Sequence, residues 1–190
     1  MIRFALPLAA ALTLGACSGL VPSTMHLLPD PPAPGAGSAR LDGATVAVSR
    51  ISLPDYAERP EVATLTSASA AVQSTDHIWA DPLSRAASQA LARALADRGA
   101  ALALAEPWPL EFYPDLRVDV IADQFIGALN GDVRFSGEFR IAEARGSLLL
   151  GQRFDLVTPT GGTGYDALAQ AHARLVGLLA DEIAASLVGF

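Results

Sequence analysis

Apolar residues along this chain recur with a period of two in some stretches and near 3.6 in others, and the switches mark its elements. "ATVAVSRISL", residues 44–53, alternates and is rich in β-branched side chains, so it reads as a strand. Its phase slips near Ser49-Arg50, as a bulge would require. "EVATLTS" (61–67) and "AAVQST" (70–75) read as two shorter strands. "WADPLSRAASQALARALADRG" (79–99) changes to helical spacing, with Leu83, Ala87, Ala90, Leu91, Ala94 and Leu95 on one face. Asp81 is placed to accept from the free amides of the first turn, Pro82 suits the first turn, and Gly99 suits a left-handed stop. The buried face is mostly alanine, which lets the helix approach a sheet closely.

Residues 116–157 read as three antiparallel strands. Asn130-Gly131 is a strong signal for a two-residue hairpin turn. Counting outward from that turn sets Ala128 opposite Val133, Ile126 opposite Phe135, Gln124 opposite Gly137, Ala122 opposite Phe139 and Val120 opposite Ile141 on the apolar face. Arg117, Asp119, Asp123, Arg134, Ser136, Glu138 and Arg140 take the other face, and a slip of one residue would bury that charged set. Ile121 and Phe125 fall on the charged face in this register. They are read either as incidental exposure or as an apolar contact patch for a partner. After the flexible turn "TPTGGTG" (158–164), Leu168, Leu175, Leu179, Ile183 and Leu187 mark a helix over residues 166–187. The order strands, helix, strands, helix predicts an α+β domain with a largely antiparallel sheet and two helices packed on one face.

The N-terminal third has a different character. Met1-Ile2-Arg3 precedes an apolar run from Phe4 to Leu14, followed by the small residues Gly15 and Ala16. This is the pattern of a secretory signal, and it is too short to span a bilayer. Leu14-Gly15-Ala16-Cys17 resembles the lipobox of bacterial lipoproteins, which implies cleavage before Cys17 and acylation of its sulfur. Cys17 is the only cysteine, so no disulfide can form within the chain. Several acyl chains give stable anchoring where one would not. Ser18 after the cysteine implies, by the same resemblance, the periplasmic face of the outer membrane. "STMHLL" (23–28) fits a short strand, and "PDPPAPGAGSARLDG" (29–43) has linker composition. The expected organisation is a signal peptide over 1–16, a lipidated N-terminus and tether over 17–43, and a folded domain over 44–190.

Composition narrows the chemistry. With 190 residues and 51% hydrophobic content, the chain builds one core rather than two. A formal charge of −7 disfavours nucleic acid as a partner. All 13 basic residues are arginine, which excludes lysine Schiff bases and the phosphate-loop lysine. His26, His77 and His172 are scattered, with no metal-ligand spacing and no G-x-S-x-G elbow nearby. Asp115, Asp119 and Asp123 alternate with apolar residues, as on a solvated face. The glycines at 161, 162 and 164 read as a plain loop. We therefore expect no catalytic residue, no metal, no cofactor and no enzymatic activity. The stretch "LPDYAERPEVATLTS" (53–67) has Pro54 and Pro60 bracketing a charged loop around Tyr56, and reads equally as a rigid turn or a partner-docking loop. Asp55, Glu58 and Arg59 offer local ion pairs there.

"LPDYAERPEVAT", then "WADPLSRAASQALARAL", a "RVDVIADQF" strand and the closing "YDALAQAHARLVGLLADEIAASL" helix resemble the ABC-type transport auxiliary lipoproteins, the PqiC-like family (DUF330). The resemblance runs from about residue 23 to 188 and departs from the family at "TMHLL", where an aromatic usually stands near His26. It implies a non-enzymatic subunit that works with an inner-membrane MCE-domain protein and ABC transporter or permease components. Such systems are thought to move lipids between the membranes and maintain the envelope. Some members form rings, so a homo-oligomer is compatible with the resemblance. Cys17 would be the lipidation site, and Pro54, Tyr56, Arg59, Pro60, Ile121 and Phe125 are the candidate partner-binding residues. Trp79 reads as a core staple before its helix. Two other readings are weighed: a structural lipoprotein that assembles or plugs another outer-membrane complex, and a periplasmic enzyme with an unrecognised site.

Overall fold

The structure, a computed structural model, describes residues 23–36, 39, 41–143 and 146–187. The signal peptide expected over residues 1–16 and the expected lipidation site Cys17 lie outside the described residues. Eight strands run in chain order: β1 (Thr24–His26), β2 (Thr45–Val48), β3 (Glu61–Ser67), β4 (Ala70–Trp79), β5 (Leu102–Ala105), β6 (Leu116–Gly127), β7 (Asp132–Glu143) and β8 (Leu148–Pro159). The helices are α1 (Asp55–Glu58), α2 (Leu83–Asp97) and α3 (Gly164–Ser186).

All eight strands belong to one mixed sheet, which corrects the expectation of a largely antiparallel one. The pairs β3–β4, β6–β7 and β7–β8 are antiparallel. The pairs β1–β4, β2–β5, β2–β6 and β3–β6 are parallel. Parallel neighbours need long crossovers, so no turn signal announces them, whereas hairpins announce themselves. β6 is the trunk. β7 covers one of its edges, while β2, an isolated bridge from Ser52 to Ile121, and β3 follow one another along the other. β5 is a four-residue strand that periodicity did not reveal.

The β6–β7 hairpin differs from the counted register in an instructive way. Ala128 N–H donates to the Asp132 carbonyl, and Gly131 N–H to the Ala128 carbonyl, so three residues form the loop rather than two. Phe125 pairs Phe135 near the turn, and Val120 pairs Phe139 farther out. Between them the register shifts at Ala122/Gln124, leaving Asp123 as the extra residue of a bulge. The bulge inverts the inward phase of β6. Val118, Val120 and Ala122 face the core before it, and Phe125 does so after it. Phe125 is 2% exposed, so its placement on the charged face is corrected: it is core, and cannot serve as a surface contact. Ile121, ahead of the bulge, stays outward at 44% exposure. Gly137 faces the bulge so closely that a Cβ there would sit 2.1 Å from the Ile121 carbonyl oxygen.

The helices follow the sequence more closely. Leu83, Ala87, Ala90, Leu91, Ala94 and Leu95 of α2 are buried, and Gly99 takes φ +91° after the C-cap. The N-cap is Pro82 with no side-chain bond, and Asp81 instead pairs with Arg85. Leu168, Leu175, Leu179 and Ile183 of α3 join the same core. Arg98, 2% exposed, ties the two helices together. Its guanidinium donates to Asp181 Oδ1 and to the carbonyls of Ala94 and Gly177, each at 2.8 Å. The proline-rich segment before β2 also packs on the domain. Asp30 accepts from Arg93 at 2.6 Å, Pro31 and Pro32 lie over Gly177, and Leu41 is buried.

Candidate functional site

The loop singled out by its prolines lies where the trunk strand changes partner. Pro54 caps the short helix α1, accepting from Ala57 N–H at 2.8 Å, and Ala57 is buried. Tyr56 is half-buried and packs against the core, and its hydroxyl accepts the Phe125 N–H at 3.0 Å. Burial raises the Tyr56 pKa above the ordinary tyrosine value, and the bond from Phe125 opposes that shift. Glu58 is held from the side, accepting from Ser84 Oγ at 2.9 Å, and the same hydroxyl accepts from Arg50 at 2.9 and 3.0 Å. Ser88 Oγ accepts the Ile51 N–H at 2.8 Å. The loop is therefore fastened to α2 by hydroxyls rather than by the local ion pairs its charges suggested.

Arg59 and Pro60 stand at the exposed rim. Arg59 Nη1 donates to Gln73 Oε1 at 3.3 Å, and Gln73 Nε2 donates to the Tyr56 carbonyl at 3.4 Å. Asp55, Tyr56, Arg59, Ala63, Val72 and Gln73 line a shallow open groove. Ile121 bridges Ser52, two residues before Pro54, so the exposed Ile121 sits beside the start of the loop. The structure thus brings Pro54, Tyr56, Arg59, Pro60 and Ile121 to one edge of β6. Tyr56 supports it from inside, and Phe125 lies beneath.

A second cluster joins residues the sequence kept far apart. His26 of β1, 8% exposed, reaches Asp166 Oδ1 through Nδ1 at 3.0 Å and His77 Nδ1 through Nε2 at 2.8 Å. A carboxylate only accepts, so Nδ1 of His26 donates to it, while Nε2 shares a hydrogen bond with His77 Nδ1. His77 stacks on Tyr165, with centroids 3.8 Å apart. The cluster fastens β1 to β4 and to the first turn of α3. Separations of 51 and 140 residues left no local signal for it. His172 is a packing residue, edge-on to Phe125 at 4.6 Å and to Trp79 at 5.6 Å. Its burial lowers the pKa to about 4, against backbone hydrogen bonds to Leu168 and Phe125. Trp79 is 6% exposed, as expected of a core staple. Asp119 and Asp123 accept from Arg117 and Arg153 on the solvated face. Among the described residues, no three His, Cys, Asp or Glu side chains gather as a metal would need, and no helix is long and apolar enough to cross a membrane.

The architecture is one already seen in solved proteins. A crystal structure of an uncharacterized protein superposes with a TM-score of 0.67 at 22% identity, covering 87% of this chain and 99% of its own. Protein XCC0632 from Xanthomonas campestris, of family DUF330, superposes with a TM-score of 0.67 at 14% identity, covering 84% and 92%. The PelC dodecamer from Paraburkholderia phytofirmans is a weaker likeness, with a TM-score of 0.43 at 14% identity over 80% and 93%. No curated protein sequence matches the chain. Residues 26–184 match the family described as ABC-type transport auxiliary lipoprotein component, and the chain belongs to that family.

Proposed function

We propose that this protein is a non-enzymatic outer-membrane lipoprotein subunit of an envelope transport system. In that system an ABC permease and an MCE-domain protein of the inner membrane move lipids between the two membranes. Family membership over residues 26–184 carries the reading. The lipobox at Cys17 supplies the anchor, and Ser18 directs it to the outer membrane. The fastened rim of Pro54, Arg59, Pro60 and Ile121 supplies a rigid contact edge for the partner, with Tyr56 holding it in shape. A guanidinium on a fastened loop and an isoleucine on the adjoining strand suit docking, because little backbone freedom is lost on binding.

Affinity capture of the full-length protein from detergent-solubilised envelopes, with mass spectrometry of bound proteins and lipids, tests this. The expected result is co-purification of an MCE-domain protein and a permease, weakened several-fold by Arg59→Glu without loss of fold. Capture of an unrelated outer-membrane complex, with neither transport component, would overturn the reading and favour a structural lipoprotein.

A further inference from the structure

The stretch 106–115, "EPWPLEFYPD", joins β5 to β6 and carries apolar side chains into solvent. Leu110 is 40% exposed, Phe112 53% and Tyr113 75%. Single exposed apolar residues are ordinary on any protein surface. These stand within four consecutive positions, on a loop built to hold them. Trp108 Nε1–H donates to the Phe112 carbonyl at 2.7 Å, and the two rings meet edge-on at 6.0 Å. Pro107, Pro109 and Pro114 restrict the backbone between. Both feet of the loop are tied to β2. Glu106 N–H donates to the Val48 carbonyl at 2.8 Å. The Asp115 carboxylate accepts from Thr45 N–H at 2.8 Å and from its hydroxyl at 2.7 Å. Those bonds lower the Asp115 pKa and keep it ionised.

We propose that this β5–β6 loop docks into a protein partner that offers an apolar groove rimmed by basic side chains. The proposal deepens the transport reading and rests on it for the anchor at Cys17. Aromatic side chains presented in a fixed conformation are the usual carriers of binding energy at interfaces, since little ordering remains to be done. Three occupants compete, and charge and position separate them. Glu106, Glu111 and Asp115 make the loop acidic, and the next basic residue, Arg117, is already bonded to Asp119 at 3.1 Å. Binding to an anionic lipid surface is helped by basic residues and opposed by these carboxylates.

Position points the same way. Thr24 pairs His77, Glu61 pairs Ile78 and Thr64 pairs Gly127, so β1 begins near the level of the last third of β6. The loop enters β6 at its other end, about 30 Å away at ~3.3 Å per residue. The chain from Cys17 therefore reaches the domain at one end, and the loop projects at the other. A second copy is a poor match, because most arginines among the described residues already pair with a carboxylate of their own chain. A basic, apolar surface on a different protein answers both features of the loop.

The test places the photoreactive amino acid p-benzoylphenylalanine at position 113 of the full-length protein in its own envelope. Adducts formed under ultraviolet light are identified by mass spectrometry. The expected result is one protein adduct, mapped to an apolar peptide with flanking Lys or Arg. Binding of that protein to the purified chain should weaken at least about tenfold with Leu110→Ser/Phe112→Ser and fall in high salt, while the melting temperature is unchanged. Adducts only to lipid, only to a second copy, or to nothing overturn the proposal. The two readings fail separately. Capture of MCE and permease components with no adduct at position 113 removes the docking loop alone. A basic partner unrelated to transport removes the transport reading alone.

Discussion

Phe125 has no strand partner for its N–H on the β2–β3 side of β6, because the chain leaves that edge after Ser52 to form α1. The Tyr56 hydroxyl takes the bond at 3.0 Å. Removing it leaves a buried donor unpaired at a cost of about 1–2 kcal/mol. We therefore expect Tyr56→Phe to lower the unfolding free energy measured in urea by that amount, with a matching fall in the midpoint, while the far-ultraviolet spectrum is kept. An unchanged midpoint would show that water or another group replaces the hydroxyl. His172 gives a second test at this scale. Its folded pKa of about 4 lies below the ordinary histidine value near 6.5, so the unfolded chain binds the proton first. Its contribution is fully present above pH ~6.5 and is lost as pH falls toward about 4, at roughly 1.4 kcal/mol per unit. Stability measured over that window should fall less steeply for His172→Gln than for the wild type, whatever the variant's absolute stability.

The bulge at Asp123 decides which side chains of β6 face the core, and Gly137 makes room for it. A methyl group at Gly137 would meet the Ile121 carbonyl at 2.1 Å, whereas one at Gly151 has nothing nearer than 3.9 Å. Gly137→Ala should cost about 2 kcal/mol and Gly151→Ala close to nothing, compared by denaturant unfolding. The same bulge marks the limit of what the chain reveals before folding. α2 and α3 were legible because one helical period runs through each, and β7 because alternation is unbroken along it. Counting outward from the turn misplaces Phe125 because the loop holds three residues rather than two, and the bulge at Asp123 restores the counted inward phase beyond it. β5 is too short to show a period, and the parallel pairings depend on crossovers rather than turns. At the site, the prolines around Tyr56 identified the loop. The hydroxyl's partner, 69 residues away, could not be read locally, and neither could the cluster of His26, His77 and Asp166.

At the scale of the molecule, β1 and the proline segment are part of the domain rather than a free lead into it. His26 is held between Asp166 and His77, and Asp30 is bonded to Arg93. On our reading, the acylated Cys17 lies only seven residues before Thr24, within about 25 Å even when fully extended. The domain would then stand close to the membrane that holds it, with the β5–β6 loop at its far end. This account depends first on the lipid attached to that sulfur. Fractionation of cells expressing wild type and Cys17→Ala, with intact mass spectrometry of each product, measures it directly. The account predicts a wild-type chain that begins at Cys17, carries acyl chains and sediments with the outer membrane, and a variant that is unacylated and soluble in the periplasm. A wild-type chain in the soluble fraction with an unmodified thiol would contradict it.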